Sequence, residues 1–243
     1  AFYAMMNLVG SHDTTRILSY LDGIDDDRNQ KDMASAFPTY AATSENAKQM
    51  QYLVAFLQFT YAGAPTIYYG DEIGMVGADD PDDRRAFEWG RGNKALVTYY
   101  ASLANVRSQY SALRTGSVEA FDTENANVLG YVRRDNANTI VVLANNSASA
   151  QSVTIDLTEL NVDADVLKDV LDSSESYTVS DGVATINVAA RRGAILVDDQ
   201  AVVTVAVDTE ALSPAFDPAY EIEVREDFEE EIVRNEIIAE VPV

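Results

Sequence analysis

The first 114 residues alternate between β-like apolar runs and segments with helical periodicity. The apolar run FYAMMNLV and the compact run PTIYYG predict strands, and each gives way to polar or glycine-bearing sequence. The segments TTRILSYL, SENAKQMQYLVAFLQFTYA and KALVTYYASLANVRSQYSAL predict helices, with Ser44 as the expected N-cap of the second one. Strands that alternate with helices in this order predict a parallel α/β arrangement for residues 1–114.

The pattern changes after Arg114 to short β-like runs that are separated by turn residues. The runs are VEAFDTE, VLGYVRRD, TIVVLANNS, QSVTIDL, YTVSDGVATINV and GAILVDD. The tripeptide SDG at 180–182, inside the run YTVSDGVATINV, is typical of a tight hairpin turn between β-rich sequence on either side. Residues 115–199 are therefore expected to form an antiparallel β-sandwich.

Residues 200–243 differ from both preceding parts. They contain Pro214 and Pro218 and then become strongly acidic in REDFEEEIVRNE. This composition favours an acidic linker followed by the possible start of a further module, and a solvated helix is the alternative.

Composition limits the classes of function that are open to this chain. Its 243 residues suffice for one large domain or two modest ones, and the absence of cysteine excludes disulfides, thiolate metal sites and cysteine nucleophiles. The net charge of −23 disfavours nucleic acids and anionic membranes as partners, and simple solubility or adaptation to salt is its plainer explanation. No run of apolar residues is long enough for a transmembrane helix, and AFYAMMNLVG lacks the features of a signal peptide.

His12, the only histidine of the chain, stands beside Asp13 directly after the first predicted strand. Loops at the carboxyl ends of parallel strands commonly bind ligands, and an imidazole next to a carboxylate can hydrogen-bond a polyol. The carboxylate can also stabilise positive charge that develops on a nearby carbon. The plainer alternative is that Asp13 caps the following helix and that His12 fills a turn.

Longer stretches around these residues resemble the α-amylase family of glycoside hydrolases. NLVGSHDTTR is similar to the family's stretch in which a barrel strand ends in His-Asp, and AGAPTIYYGDEIGM is similar to its last barrel strand. GADDPDDRRAFEW resembles a loop of the neopullulanase, cyclomaltodextrinase and pullulanase-like branches, and SALRTGSVEAF, VLGYVRRD, VVLANNS and RRGAILV resemble the family's β-domain. The resemblance implies a C-terminal remnant of a (β/α)8 TIM barrel followed by an antiparallel β-sandwich domain.

The resemblance also implies roles for individual residues. Asp13 matches the third catalytic carboxylate, which binds the sugar at the cleavage point and stabilises the transition state. His12 matches a histidine that forms a hydrogen bond to the same sugar. Asp80 and Arg84 match a pair that contacts the glucan further along, although Arg84 could instead form an ion pair with Asp82 or Asp83. The remaining matched positions are expected to shape the barrel mouth or to pack, with sugar stacking as the alternative for the tryptophan: Gly70, Asp71, Glu72 and Trp89.

Retaining hydrolysis needs a nucleophile and an acid/base carboxyl group, and the family's positions for both precede the His-Asp stretch. Because only eleven residues precede His12, the chain is expected to be a C-terminal portion that is inactive without the N-terminal part of the same enzyme. The expected substrates are starch, pullulan, maltodextrins or cyclodextrins with α-1,4 or α-1,6 bonds. The alternatives are a carbohydrate-binding module and a structural β-sandwich module.

Three further expectations concern the surroundings of the chain. Calcium is common in the family, but its usual ligands lie earlier in the barrel, so no metal or cofactor is expected here. Open strand edges of an incomplete barrel favour self-association. An extracellular or cell-surface parent protein is expected, with a cytoplasmic one as the alternative.

Overall fold

A computed structural model describes residues 2–24 and 42–203. The expectation of a linker and further module over 200–243 therefore lies almost entirely outside the described residues. Within the described residues, no helix has the length and apolar character needed to cross a membrane.

Two short strands of the first part pair in parallel, as the alternation of elements predicted. Strand β1 (Met6–Leu8) lies beside β2 (Ala64–Thr66), with Met6 opposite Ala64. Parallel pairing requires a crossover, which contains α1 (Ile17–Leu21) and α2 (Glu45–Thr60). Both strands are shorter than the apolar runs that predicted them. In the first run, a 3₁₀ turn over Phe2–Ala4 occupies the start.

Side-chain caps fix the starts of the long helices. The Ser44 Oγ accepts a hydrogen bond from the Ala47 amide at 3.1 Å, which confirms Ser44 as the N-cap of α2. Asn93 caps α3 (Lys94–Gln109) in the same way. The last predicted helix is interrupted at Tyr110, whose backbone is extended, and resumes as α4 (Ser111–Thr115).

The remainder of the described chain forms two antiparallel sheets. Their strands are β3 (Ser117–Phe121), β4 (Val128–Arg134), β5 (Thr139–Asn145), β6 (Gln151–Asp156), β7 (Val166–Asp169), β8 (Ser176–Thr178), β9 (Val183–Val188) and β10 (Gly193–Asp198). The larger sheet has the strand order β3-β4-β5-β10-β7-β8, and the smaller pairs β6 with β9. Strand β7 does not correspond to any of the runs singled out in the sequence.

The turn predicted at SDG is present, but the strands on its two sides do not pair with each other. Ser180 and Val183 exchange two backbone hydrogen bonds around Asp181 and Gly182, whose φ angles are 52° and 79°. Pairing then stops, because β8 joins β7 in the larger sheet while β9 joins β6 in the smaller one. The turn carries the chain between sheets, which lets apolar residues on both sides of it enter the core between the sheets.

Strand β5 lies at the centre of the structure and is buried on both faces. Its Val141 and Leu143 pack in the cluster between the two sheets, whereas Ile140 and Val142 pack in the cluster that contains α2 and α3. The six-stranded sheet therefore has helices on one face and the small sheet on the other. One continuous core joins the parts on either side of residue 115.

Two buried arginines bind the end of α2, where helix carbonyls lack helical partners. Arg107 of α3 donates to the carbonyls of Phe59 and Tyr61 at 2.6 and 3.3 Å. Arg133 of β4 donates to the Thr60 carbonyl at 2.5 Å. Positive charge at a helix C-terminus is favourable, so these contacts fix where the chain leaves α2 and enters β2.

Candidate functional site

The turn after β1 presents His12 and Asp13 to solvent. The Ser11 amide donates to Thr14 Oγ1 at 3.1 Å, and the Asp13 amide donates to Ser11 Oγ at 3.2 Å, which closes the turn. The side chains of His12 and Asp13 are 65% and 67% exposed, and His12 Nε2 lies 3.2 Å from Asp13 Oδ2. The two groups can therefore meet a ligand at the carboxyl end of β1.

Asp13 does not cap the following helix. Helix α1 starts at Ile17 with Arg16 at the N-cap, and among the described residues no side chain caps it. The plainer interpretation of Asp13 is therefore wrong, and its carboxylate is directed to a different contact.

That contact is Arg84, which lies in a 3₁₀ turn over Asp82–Arg84. Arg84 Nη2 lies 3.3 Å from Asp13 Oδ1 and 2.9 Å from Asp80 Oδ2. Its Nε donates to the His12 carbonyl at 2.9 Å. The structure thus brings together all four residues that the sequence singled out for catalysis or substrate binding.

Neither of the alternative partners considered for Arg84 forms an ion pair with it among the contacts of the described residues. Asp82 forms a two-pronged interaction with Arg85, at 2.9 and 2.8 Å, and also accepts from the Ala78 amide. Asp83 is fully buried, and neither of its carboxylate oxygens has a hydrogen-bond partner among the described residues. An ion pair of Arg84 with Asp82 or Asp83 is therefore not what holds this loop.

A buried arginine lies directly beneath the exposed site. Arg16 is fully buried, and its guanidinium donates to the carbonyls of Asp83, at 2.8 Å, and Tyr69. Nη1 lies 3.4 Å from Asp71 Oδ1, and the guanidinium lies 4.5 and 4.7 Å from the ring centres of Tyr68 and Tyr69. Sequence analysis gave Arg16 no role, although an arginine that opens an apolar helical segment was a signal for one.

Burial dominates the electrostatics under the site. Burial raises the pKa of Asp71 to about 7, even though Arg16 lowers it in part. Burial also raises the pKa of Asp83 to about 6, again against the influence of Arg84 and Arg16. For both carboxyl groups, the cost of burying the charged form away from water exceeds the stabilisation that the nearby arginines provide.

An open groove adjoins Asp13 on the side of β1 and α1. Its volume is about 660 Å³, and Leu8, Gly10, Ile17 and Tyr20 contribute to its walls. The walls are largely apolar, and their charged residues are Asp13 and Asp79. Such a groove can accept the faces of a sugar ring while the polar groups bind its hydroxyls.

The geometry also bears on Trp89 and on metal binding. Trp89 packs edge-on to Phe87, with ring centres 4.7 Å apart, which favours its packing role over a free sugar platform. Within residues 2–24 and 42–203, no group of three or more His, Cys, Asp or Glu residues could hold a metal ion.

Comparison with known proteins places these features in a family. The chain matches "Alpha amylase, catalytic domain" over residues 3–137 and "Maltogenic Amylase, C-terminal domain" over residues 118–195. The first match covers more than half of the chain and includes all four predicted site residues. The two matches overlap in β3 and β4, where the shared core joins the helices to the sandwich.

Individual relatives agree with this assignment. The amylopullulanase of Thermoanaerobacter thermohydrosulfuricus is 36% identical over 208 residues, which cover 82% of this chain and 13% of that protein. A Bacillus sp. cyclomaltodextrinase is 35% identical over 152 residues, 61% of this chain and 23% of that protein. This chain therefore spans a minor fraction of the length of both relatives.

A solved structure supports the fold. The crystal structure of an Anoxybacillus α-amylase superposes with a TM-score of 0.65 at 23% identity, covering 81% of this chain and 39% of that one. The expected fold class, part of a TIM barrel followed by a β-sandwich, is confirmed. Since the longer sequence match spans the His-Asp turn and the loop that carries Arg84, the chain belongs to the α-amylase family of glycoside hydrolases.

Proposed function

We propose that this chain supplies part of the substrate site of a retaining glycoside hydrolase that acts on α-1,4 or α-1,6 glucans. The observation that carries the proposal is the convergence of His12, Asp13, Asp80 and Arg84 at the carboxyl end of β1. In this proposal residues 1–114 belong to the catalytic barrel and residues 115–199 form the domain that follows it.

Each residue has a role that its chemistry suits. The Asp13 carboxylate stabilises positive charge as the glycosidic bond breaks, and His12 donates a hydrogen bond to a hydroxyl of the same sugar. Arg84 and Asp80 offer a donor and an acceptor to the next part of the glucan. The two groups also form an ion pair with each other, at 2.9 Å.

The chemistry of bond cleavage requires groups that these four residues do not supply. A retaining enzyme places a nucleophile and an acid/base carboxyl about 5–5.5 Å apart across the scissile bond. We propose that both come from an N-terminal part of the same enzyme and that the 243-residue chain alone does not hydrolyse glucans. Asp13 then contributes electrostatic stabilisation to a reaction started by other groups.

A chimeric enzyme tests this proposal. The chain would replace the matching segment of the Thermoanaerobacter amylopullulanase, with 36% identity over 208 residues to guide the junction. We expect the chimera to release reducing ends from soluble starch or pullulan. Asp13→Asn should lower kcat by about 10²–10³-fold, the effect typical of losing one electrostatic contact to a transition state.

A matched control separates catalysis from folding. Asp181→Asn makes the same chemical change at an exposed turn of the sandwich, and asparagine tolerates the positive φ of 52° found there. This control should leave kcat unchanged. A chimera that is folded and active but equally active with Asp13→Asn would contradict the proposed role of Asp13.

A structural role for the sandwich is a second candidate function, and the shared core favours it. Phe56 of α2 packs in one cluster with Ile140 and Ile195 of the six-stranded sheet, so the sheet covers the helices of the first part. A carbohydrate-binding sandwich would retard the chain during electrophoresis in a starch-containing gel. A purely structural sandwich predicts unchanged migration relative to a gel without polysaccharide.

A further inference from the structure

Arg16 contacts each of the segments that form the site. It follows Asp13 by three residues, and its Nε donates to the carbonyl of Asp83, the residue before Arg84. Its Nη1 donates to the Tyr69 carbonyl and lies close to the Asp71 carboxylate. We propose that Arg16 is a positioning residue that sets Arg84 against Asp13. The inference rests on the proposed function, which it deepens by naming what builds the substrate site.

Arg16 holds the segment from Gly77 to Arg84 through hydrogen bonds to two backbone carbonyls. The Arg16 amide donates to the Gly77 carbonyl at 3.1 Å, and its Nε donates to the Asp83 carbonyl at 2.8 Å. The Asp83 carboxylate has no hydrogen-bond partner among the described residues and cannot anchor the loop in place of these bonds. Gly77 and Asp83, near the two ends of this segment, therefore both bind Arg16.

Contacts around Arg16 leave little room for adjustment. A Cβ at Gly77 would lie 2.8 Å from the Asp82 carbonyl oxygen and 3.2 Å from Arg16 Cγ. A Cβ at Gly10 would lie 2.6 Å from Asp71 Oδ2, so the segment before His12 also packs directly on the group that Arg16 binds. A displacement of the guanidinium is thereby transmitted to both sides of the site.

The exposed contacts above Arg16 cannot perform this positioning by themselves. The side chains of Arg84 and Asp13 are 44% and 67% exposed, and ion pairs of that kind add little to stability because water screens them. Arg16 instead works in a buried setting, where its planar fork and its stacking on two tyrosine rings define one orientation. Lysine cannot reproduce that fork, so Arg16→Lys isolates geometry from charge.

The first test uses the complete 243-residue chain and nuclear magnetic resonance of its single histidine. Because His12 is the only imidazole, its side-chain signals report the turn that Arg84 contacts. Arg84→Lys gives the reference change in those signals, and we expect Arg16→Lys to shift or broaden them at least as much. The control Arg192→Lys alters a guanidinium that stacks on Tyr52 and should leave them unchanged.

Folding is monitored in parallel by circular dichroism and thermal unfolding. If Arg16→Lys fails to fold, the double variant Arg16→Met with Asp71→Asn replaces it in the test, because it removes the buried guanidinium together with the carboxyl group that lies beside it. A folded variant whose His12 signals match those of the wild type overturns the proposal. A purely structural role for Arg16 predicts that result, with a lowered Tm.

The second test is a double-mutant cycle on kcat/KM in the amylopullulanase chimera. Arg84→Lys and Arg16→Lys should each lower kcat/KM by about tenfold or more, as small misplacements of binding groups do. If Arg16 acts through Arg84, the double variant should be little worse than Arg84→Lys alone. Independent, multiplicative losses would overturn the positioning role.

The two proposals fail in different ways. If Asp13→Asn does not change the activity of an active chimera, the proposed function is refuted. The His12 signals can still show that Arg16 positions the turn. Unchanged His12 signals together with multiplicative losses refute the positioning role and leave the proposed function standing.

Discussion

The hydroxyl of Tyr131 on β4 lies 2.6 Å from the hydroxyl of Thr60 in the last turn of α2. Thr60 Oγ1 donates to the Phe56 carbonyl, so Tyr131 is the donor between the two hydroxyls. Both residues are buried. This contact links the sandwich to the end of the helix that precedes β2, and therefore couples the stability of the two parts.

Removing that hydroxyl should cost little because its partner remains satisfied. Tyr131→Phe keeps the ring in the core and leaves Thr60 bonded to Phe56, so we expect a loss of about 1 kcal/mol in the free energy of unfolding. Chemical denaturation measures it. An unchanged midpoint would show that water replaces the bond at no cost.

Arg133→Met should be far more destabilising than Tyr131→Phe. Arg133 donates to the carbonyls of Thr60, Ser117 and Gly116, and the side chain is fully buried. The variant leaves these buried carbonyls without their charged hydrogen-bond donor, which should lower the free energy of unfolding by about 3 kcal/mol or more. Arg134→Met on the same strand, where the side chain is partly exposed, is the control and should cost less.

The close approach of β10 to α2 predicts that the cost of enlarging Gly193 depends on the size of the side chain at position 56. A Cβ at Gly193 would lie 2.2 Å from Phe56 Cε1, and Phe56 is completely buried. Gly193→Ala should therefore destabilise the protein by about 1–3 kcal/mol through overpacking. In the Phe56→Leu background the same change should cost clearly less, and equal costs in both backgrounds would contradict the packing argument.

The raised pKa of Asp71 predicts that stability falls as pH rises toward neutrality. Between pH 4 and 6 the folded chain keeps this carboxyl largely protonated, because its pKa is about 7, while the unfolded chain has lost the proton near 3.8. The folded state then binds more protons, so the free energy of unfolding decreases with rising pH, by about 4 kcal/mol in total for this group.

Asp71→Asn isolates this contribution from the repulsion among the chain's many other carboxylates. The variant should show a flatter decrease in Tm between pH 5 and pH 8 than the wild type. Asp181→Asn at the exposed turn should retain the wild-type slope. Identical slopes for all three proteins would mean that Asp71 is ionised throughout this range.

An apolar group of exposed side chains on and beside β1 predicts association of the isolated chain. Met6 and Leu8 are 63% and 46% exposed, and Tyr3 and Met5 lie beside them in sequence. Contiguous apolar surface drives association, whereas single exposed residues do not. Light scattering during size-exclusion chromatography should show a concentration-dependent mass.

Substitutions on that surface identify its part in association. Met6→Thr with Leu8→Thr should shift the chain toward the monomer. Leu129→Thr removes a side chain of similar exposure, 49%, on β4 and should have no such effect. A wild-type chain that stays monomeric over a wide concentration range would contradict this prediction.

Local sequence signals predicted elements whose causes are themselves local. Ser44 caps α2, and the turn at Asp181 and Gly182 adopts the expected positive φ angles, because capping and turn formation depend on a few adjacent residues. The pairing of β8 and β9 could not be read in the same way. Which strand lies beside which depends on burying apolar residues such as Tyr177 and Ile186 between two sheets.

The sequence by itself determined the family, the alternation of elements and the identity of His12, Asp13, Asp80 and Arg84 as candidate site residues, because these depend on ordered motifs. Only the tertiary structure decided what those residues contact. It directed Asp13 to Arg84 instead of to a helix N-terminus, and it placed Arg16 beneath both. The physical reason is that Arg16 and Asp83 are 67 positions apart, so their bond exists only after the chain has folded.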